Sequence, residues 1–584
     1  MDDEARQTTG TGVWSAIAVF VRDRVSGARN ERLWRTLAIS LGLISACSFA
    51  IKVYSFPTDA ISDDARMFLS WMGQWENDGL LRGDFVADYW RAVSPWAYSA
   101  LFRAAWAFGI SPVAFAKLFP TLIFVPISFY TFRFIRAVGG QPIVGFLVTA
   151  AVLHYLARAN LIVTSTPRAL WPVLLLMMLD GLARKRIWQT AIAQLLLTGA
   201  YPQMAITTAT LVGLTLLSFA PLPRLKLDRL TLLLVASSAL ATICGIAPFL
   251  LSSGSYSPSF TLAEAMQIPT FGPSGRGAIF PAEMDYNFLC GSRLSFIVDC
   301  EGGAILKPSL EILAAFGGSM ILFYRTLRPS GERLLSSQLP LLLALASLGW
   351  FFIAGIVLFR LHLPNRYTAA MELLIYITAL PLLLEWLFRM PFFQIEKQSK
   401  SRQTILSGSA MALLVVCAVG AADVRVGLKK PNQEFIAALR ALPDDAVIGG
   451  FVEELDFSPV LTNRSTLFSR ELSIAYQKGY FLPILARMEA VKDIVLATEH
   501  AVLVDRIIQL QMTHMVVRQA DMATVRIPEG FRGFFAEDQL IKQEETAEAA
   551  GAILPKLVAN CTAGIYGGIA LVPTACLLSN KSAD

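Results

Sequence analysis

Residues 37–66 read LAISLGLISACSFAIKVYSFPTDAISDDAR. The run from Leu37 to Tyr54 is apolar apart from Lys52, and with its flank it is long enough to enter a bilayer core of ~30 Å. Soon after it ends, the chain presents Ser62-Asp63-Asp64-Ala65-Arg66. Two adjacent carboxylates at the mouth of a membrane segment are costly unless they have a task. Upstream lie Arg22, Arg24, Arg29, Arg32 and Arg35. That density of arginine predicts a cytoplasmic N-terminus, so the first span leads outward and the acidic pair emerges on the outer face. A plainer reading of the same residues is that Ser62 and Asp63 cap a surface helix.

The composition fits a membrane chain. Of 584 residues, 55% are hydrophobic and 16% charged, against about 25% charged in soluble globular domains, and the mean hydropathy is +0.54. The net charge of +6 does not point to nucleic acid, because the basic residues sit in short loops between apolar runs. Val13 to Val21 is too short to span and has no small-residue cleavage site after it, so no cleaved leader is expected.

Further spans are predicted at Val113–Phe132, Ile143–Ala157, Ala169–Leu182, Ile187–Ala200, Met204–Phe219, Leu230–Leu251, Leu310–Phe323, Leu339–Phe359, Tyr367–Phe388 and Ile405–Ala422. With the first this makes about 11 transmembrane helices. Alternation then puts every basic cluster on the inner side: Arg133/Arg136, Arg184-Lys185-Arg186, Arg224/Lys226/Arg229, Arg325/Arg328/Arg333 and Arg389 to Arg402. The expected fold is a polytopic α-helical membrane protein with a C-terminal extracytoplasmic mixed α/β domain. Its parts are a cytoplasmic N-terminus at 1–36, a transmembrane region at 37–428 with external loops at 55–112 and 252–309, and an outer domain at 429–584. In the first loop, Trp71, Trp75, Trp90, Trp96 and Trp106 predict two helices along the outer surface, after Asp64 and after Pro95. In the last region Ala446–Phe451 and Thr513–Arg518 read as strands, Glu434–Leu442 as a helix, and Asp444-Asp445 as a turn. An oxidising outer compartment predicts disulfides Cys290–Cys300 and Cys561–Cys576.

Cations on the outer side depart from the charge rule. Arg168 follows the third span, and Arg360, His362 and Arg366 lie between the ninth and tenth. A guanidinium offers phosphate a bidentate fork, so Arg66, Arg168 and Arg366 are candidate donor-phosphate ligands. Glu264 and Arg276 of the second loop are candidates to cover the site. A carboxylate of the acidic pair is suited to serve as general base toward an acceptor hydroxyl. Four scattered histidines give no zinc spacing, and no P-loop or Ser-His-Asp pattern is present.

The layout resembles the GT-C glycosyltransferases, integral membrane enzymes that use polyprenyl-phosphate-linked sugars. The resemblance rests on Ser62-Asp63-Asp64-Ala65-Arg66 in the first external loop, more weakly on Leu363-Pro364-Asn365-Arg366-Tyr367, and on the order of spans, loops and outer domain. It implies an inverting hexosyl- or pentosyltransferase (EC 2.4 class) with Asp63 or Asp64 as catalytic base, Asp64 slightly preferred. The partners it implies are a polyprenyl-phosphate-sugar donor, membrane lipids, and a glycan, lipid or protein acceptor, without nucleic acid. Cell-envelope polysaccharide chemistry at a bacterial inner membrane, with the site facing the periplasm, is the setting expected. Metal dependence varies in that superfamily, which leaves Mg2+ or Mn2+ at Asp63 and Asp64 open. The competing readings are a transporter or flippase for a lipid-linked glycan, expected to show mid-span breaks and internal repeats, and a non-catalytic assembly protein for which the acidic pair is dispensable.

Overall fold

In the computed structural model, the described residues are 30–76, 79–81, 83–219, 224–273, 275–280, 290–291, 293–298, 306–327, 335–389, 400–522 and 524–580. The expectations for Val13–Val21 and for Cys300 lie outside them.

Asn30 caps the first helix by accepting from the Leu33 amide at 3.2 Å, so the helix runs from Glu31 to Tyr54 and begins before the apolar run itself. It packs on helices Pro112–Ala137 and Pro142–Arg158. A Cβ at Gly42 would stand 2.3 Å from Ser128 Oγ, so glycine there lets two membrane helices approach closely. The Ser45 and Ser48 hydroxyls donate to the Ala421 and Ala422 carbonyls at 2.8 and 2.6 Å, tying the first helix to the last membrane helix, Lys400–Ala422.

Among the described residues six helices are long and apolar enough to cross a bilayer: Glu31–Tyr54, Pro112–Ala137, Arg229–Leu251, Ser309–Leu327, Leu339–Ile356 and Asn365–Arg389. The expected count of about 11 is not confirmed by these six. Helices do form at the remaining positions, but Trp171–Ala183, Ile187–Ala200 and Pro202–Leu214 have only 13 or 14 residues, about 20 Å at 1.5 Å per residue. Proline sets one of these limits. Tyr201 ends one helix in an extended conformation, and Pro202 opens the next at a position where its missing N–H costs nothing. Large apolar side chains such as Ile51, Leu251 and Ile356 remain exposed, as a lipid-facing surface requires. The chain is an integral membrane protein.

The first loop folds inward more than expected. Helices form at both expected places, Asp63–Leu69 and Trp96–Ala107, and among the described residues Phe85–Val93 adds a third α-helix. Its tryptophans are anchored in protein: Trp71 Nε1 donates to Ser94 Oγ (3.1 Å), Trp90 Nε1 to the Leu472 carbonyl (3.2 Å) and Trp96 Nε1 to the Gly245 carbonyl (2.7 Å).

The C-terminal region carries a five-stranded mixed sheet in the order Gly564–Tyr566, Ile569–Pro573, His514–Arg518, Val447–Gly449, Ser465–Thr466. His514–Arg518 is its centre, with Met515, Val516 and Val517 buried. Helix Gln433–Arg440 and the turn at Asp444-Asp445 stand where the sequence places them. Cys561 and Cys576 form a disulfide between helices Leu554–Cys561 and Thr574–Ser579. One short ladder fixes this region to the membrane part. Strand Ile61–Ser62 pairs antiparallel with Leu428–Lys429, Ile61 opposite Lys429 and Ser62 opposite Leu428. The acidic pair follows directly from it.

Candidate active site

Asp63 and Asp64 open helix Asp63–Leu69, where carboxylates complement the positive end of the helix. Adjacent helical residues point about 100° apart, and these two reach different partners. Asp63 accepts from Arg66 one turn on and from Lys429 Nζ at 2.9 Å. Asp64 turns the other way and pairs with Arg168, which sits in the short helical turn Pro167–Leu170 before helix Trp171–Ala183. Both members of that pair keep part of their side chain exposed, 32% for Asp64 and 25% for Arg168.

Arg66 was expected to touch donor phosphate. It is 2% exposed, lies 4.4 Å over the Phe457 ring, and stands 3.6 Å from the Asp456 carboxylate. The C-terminal region encloses it through Asp456 and Phe457. Asp456 also accepts from the Glu471 amide at 2.8 Å. Burial pushes the Asp456 carboxyl above the usual range, with Arg66 pulling it back. Glu471 pairs with Arg276 of the second loop and is likewise pushed up by burial, against Arg276 and with help from Asp456 and Asp64. Arg276 of the second loop is thus joined to the C-terminal region through Glu471.

Glu264 does not come to the site. It closes a capping box with Thr261 and pairs with Lys478 at the surface, contacts that hold its carboxyl down to about 2.

Arg366 joins Asp64 from the far side. It lies within electrostatic reach of Asp64 and hydrogen-bonds Tyr201 at the break between two short helices. Around it stand Arg293, donating to Tyr476 Oη at 3.1 Å, and His362, whose ring meets Tyr476 edge-on at 4.7 Å. Burial, then Arg366 and Arg293, hold His362 down to about 3, so its imidazole is neutral at physiological pH. The turn that carries it is strained. Phe359 and His362 have φ of +63° and +64° and bridge to each other, each costing of order 1–3 kcal/mol. Phe359 repays part of this by stacking on Phe271 at 5.0 Å and meeting Tyr476 at 5.7 Å. Two buried polar atoms here, Arg168 Nε and Asn365 Oδ1, have no hydrogen-bond partner among the described residues. Such groups are rare without a function or a ligand.

The result is an arrangement of three arginines near one carboxylate: Arg168 pairs with Asp64, Arg366 is within electrostatic reach of it, and Arg293 and Arg366 both act on His362. It suits an anion with several oxygens beside a group that gives up a proton. Among the described residues no group of three or more His, Cys, Asp or Glu is arranged to hold a metal, and Asp63 and Asp64 are each engaged by cations. Tyr201, Arg293, Glu471 and Tyr476 are not marked as site residues by the sequence, and His362 is marked there only as one of the outer-side cations. They are dispersed over the chain, and only the positive φ of a residue in a proline-containing turn would have marked His362 as a site residue, which sequence does not display.

No family model matches the chain, and no curated protein matches it. Two solved structures are similar in backbone path. One is the Archaeoglobus fulgidus oligosaccharyltransferase tethered to an acceptor peptide, with a TM-score of 0.43 and 10% identity over 87% of this chain and 72% of that one. The other is the arabinofuranosyltransferase AftD from Mycobacteria, with a TM-score of 0.41 and 14% identity over 84% of this chain and 37% of that one. By name both transfer glycosyl groups. At these scores and identities the likeness carries no residue roles, and the functional reading rests on the side chains described above.

Proposed function

We propose that the chain is an inverting membrane glycosyltransferase whose donor is a polyprenyl-phosphate-linked sugar, with Asp64 as general base. The observation that carries this is the division of labour in the acidic pair. Asp63, 40% exposed, is engaged by two cations, Arg66 and Lys429, while Asp64, 32% exposed, pairs with Arg168 and lies within electrostatic reach of Arg366.

The chemistry is a single displacement. The Asp64 carboxylate takes the proton of an acceptor hydroxyl as its oxygen attacks the anomeric carbon. The bond from that carbon to the phosphate oxygen breaks, and the electron pair leaves with the lipid phosphate. Arg168 and Arg366, with Arg293 behind them, stabilise the charge that develops there. Attack opposite the leaving group inverts the anomeric centre. The arginine cluster lies on the same side of the membrane part as the loops and the C-terminal region, and we place that side outside the cell, in a bacterial periplasm, because the basic clusters lie at the opposite ends of the helices. Sugars on lipid carriers are donors available at such a site.

Transfer from a panel of radiolabelled polyprenyl-phosphate sugars to membrane-extract acceptors, by the purified chain in nanodiscs, tests the reading. Transfer lost in Asp64→Asn and retained in Asp63→Asn is expected. Transfer that survives in Asp64→Asn removes the proposed base.

A further inference from the structure

At the opposite face, away from Asp64, the helix ends enclose a second cavity of about 170 Å³. Its walls carry Lys185 and Lys226 with the hydroxyl residues Thr215, Thr231 and Ser336, and its deeper side is apolar, with Val138, Leu182 and Leu234. Among the described residues no acidic residue lines it. Asp228 is the nearby carboxylate: it is exposed, accepts from the Thr231 amide and hydroxyl at 3.0 and 2.7 Å, and feels both lysines. Among the described residues neither lysine ammonium has an ion pair or hydrogen bond, whereas neighbouring cations are occupied: Arg133 and Arg184 on Asp180, Arg136 on Glu31. Lys185 is held in place by a left-handed backbone, φ +55°, where the chain leaves helix Trp171–Ala183. Helix Leu339–Ile356 begins at the same spot, where Ser337 Oγ accepts from the Leu339 amide at 3.2 Å and Pro340 carries no N–H.

We infer that this cavity binds the phosphate of an anionic phospholipid headgroup. Two unpaired lysines and a set of hydroxyls supply charge and hydrogen bonds to a phosphate. The apolar inner wall and the position among membrane-helix ends favour a phosphate attached to acyl chains over a soluble one. The inference is independent of the reaction proposed above.

The test uses the full chain in nanodiscs of phosphatidylcholine alone or with phosphatidylglycerol, reading thermal stability and, by native mass spectrometry after detergent release, the lipid retained. Phosphatidylglycerol retained over phosphatidylcholine by about tenfold is expected, from two lysines acting on one headgroup. That preference should vanish in Lys185→Gln/Lys226→Gln and persist in Arg224→Gln, an exposed cation of the same face outside the cavity. Equal retention of the two lipids overturns the inference. So does an equal loss in Arg224→Gln, which would mean attraction by the whole basic face. Unchanged preference in the double variant with lowered stability would show that the lysines only complement the carbonyl ends of helices. Stabilisation by inorganic phosphate in pure phosphatidylcholine discs, matching that by the lipid, would assign the cavity to a soluble ligand instead.

Discussion

Asp63 and Asp64 are neighbours on one helix, yet they belong to two regions that use charge differently. On the Asp63 side, Arg66 is buried between Asp63, Asp456 and Phe457, and the charges fasten the C-terminal region to the membrane part. On the Asp64 side, the cations outnumber the carboxylates, part of each group stays accessible, and Arg168 Nε has no hydrogen-bond partner among the described residues. Balanced and buried charge specifies a docking geometry. Unbalanced charge waits for a ligand of the opposite sign. The same residue types thus fasten the fold in one region and, in the function proposed above, serve chemistry in the other.

The largest expected effect breaks the comparison outright if it fails. Asp64→Asn should lower transfer by about 10²–10⁴-fold, the usual range for a general base, while Asp63→Asn should cost less than about tenfold per folded molecule. Initial rates normalised to monodisperse protein decide this. Equal losses would merge the two regions into one site.

Next comes Arg66→Ala. It leaves the 3% exposed Asp456 without its cation, and breaking a buried pair costs about 3–5 kcal/mol. Thermal unfolding should fall by several degrees, with proteolysis first releasing the C-terminal region. A purely catalytic loss at unchanged stability would return Arg66 to the phosphate-binding set.

Arg168→Lys and Arg366→Lys keep the charge and lose the fork. Each should raise the KM for the lipid-linked donor by about tenfold, a difference of ~1.4 kcal/mol, with a smaller change for acceptor. An effect on the acceptor KM alone would move the donor phosphate elsewhere.

The pH dependence is subtler. Burial raises the proton affinity of Asp456 and Glu471 above that of the unfolded chain. Their contribution to stability is therefore present at low pH and is lost as pH rises through their folded values. Glu471→Gln should flatten that part of the stability–pH curve, measured by denaturant unfolding between pH 4 and 8, because the titrating group is gone. An unchanged curve would mean that Glu471 is not desolvated as the structure has it. Smallest of all, Glu264→Gln should leave transfer unaltered, since Glu264 belongs to a surface cap and not to the arginine cluster; a changed donor KM would bring the second loop's acid back into the site.

Much of the membrane part is legible in the sequence because hydropathy and arginine placement act locally. Leu37–Tyr54 announces a span and Pro202 a helix start. The three helices at 171–214 are apolar but short, because a proline or a basic turn cuts each run. The roles of the arginines were legible only in kind. Nothing local distinguishes Arg66, which the C-terminal region buries, from Arg168, which pairs with Asp64.

What the sequence determined by itself is a many-span membrane protein with an acidic pair and outlying arginines at one set of helix ends, because bilayer partitioning reads short windows of chain. Only the tertiary structure decided which aspartate pairs with Arg168. That choice depends on the Ile61–Ser62 ladder with Leu428–Lys429, and on Asp456, Glu471 and Tyr476 arriving from hundreds of residues away. Ion pairs and ring contacts over such separations leave no local pattern; they exist only once the chain has brought its charges together.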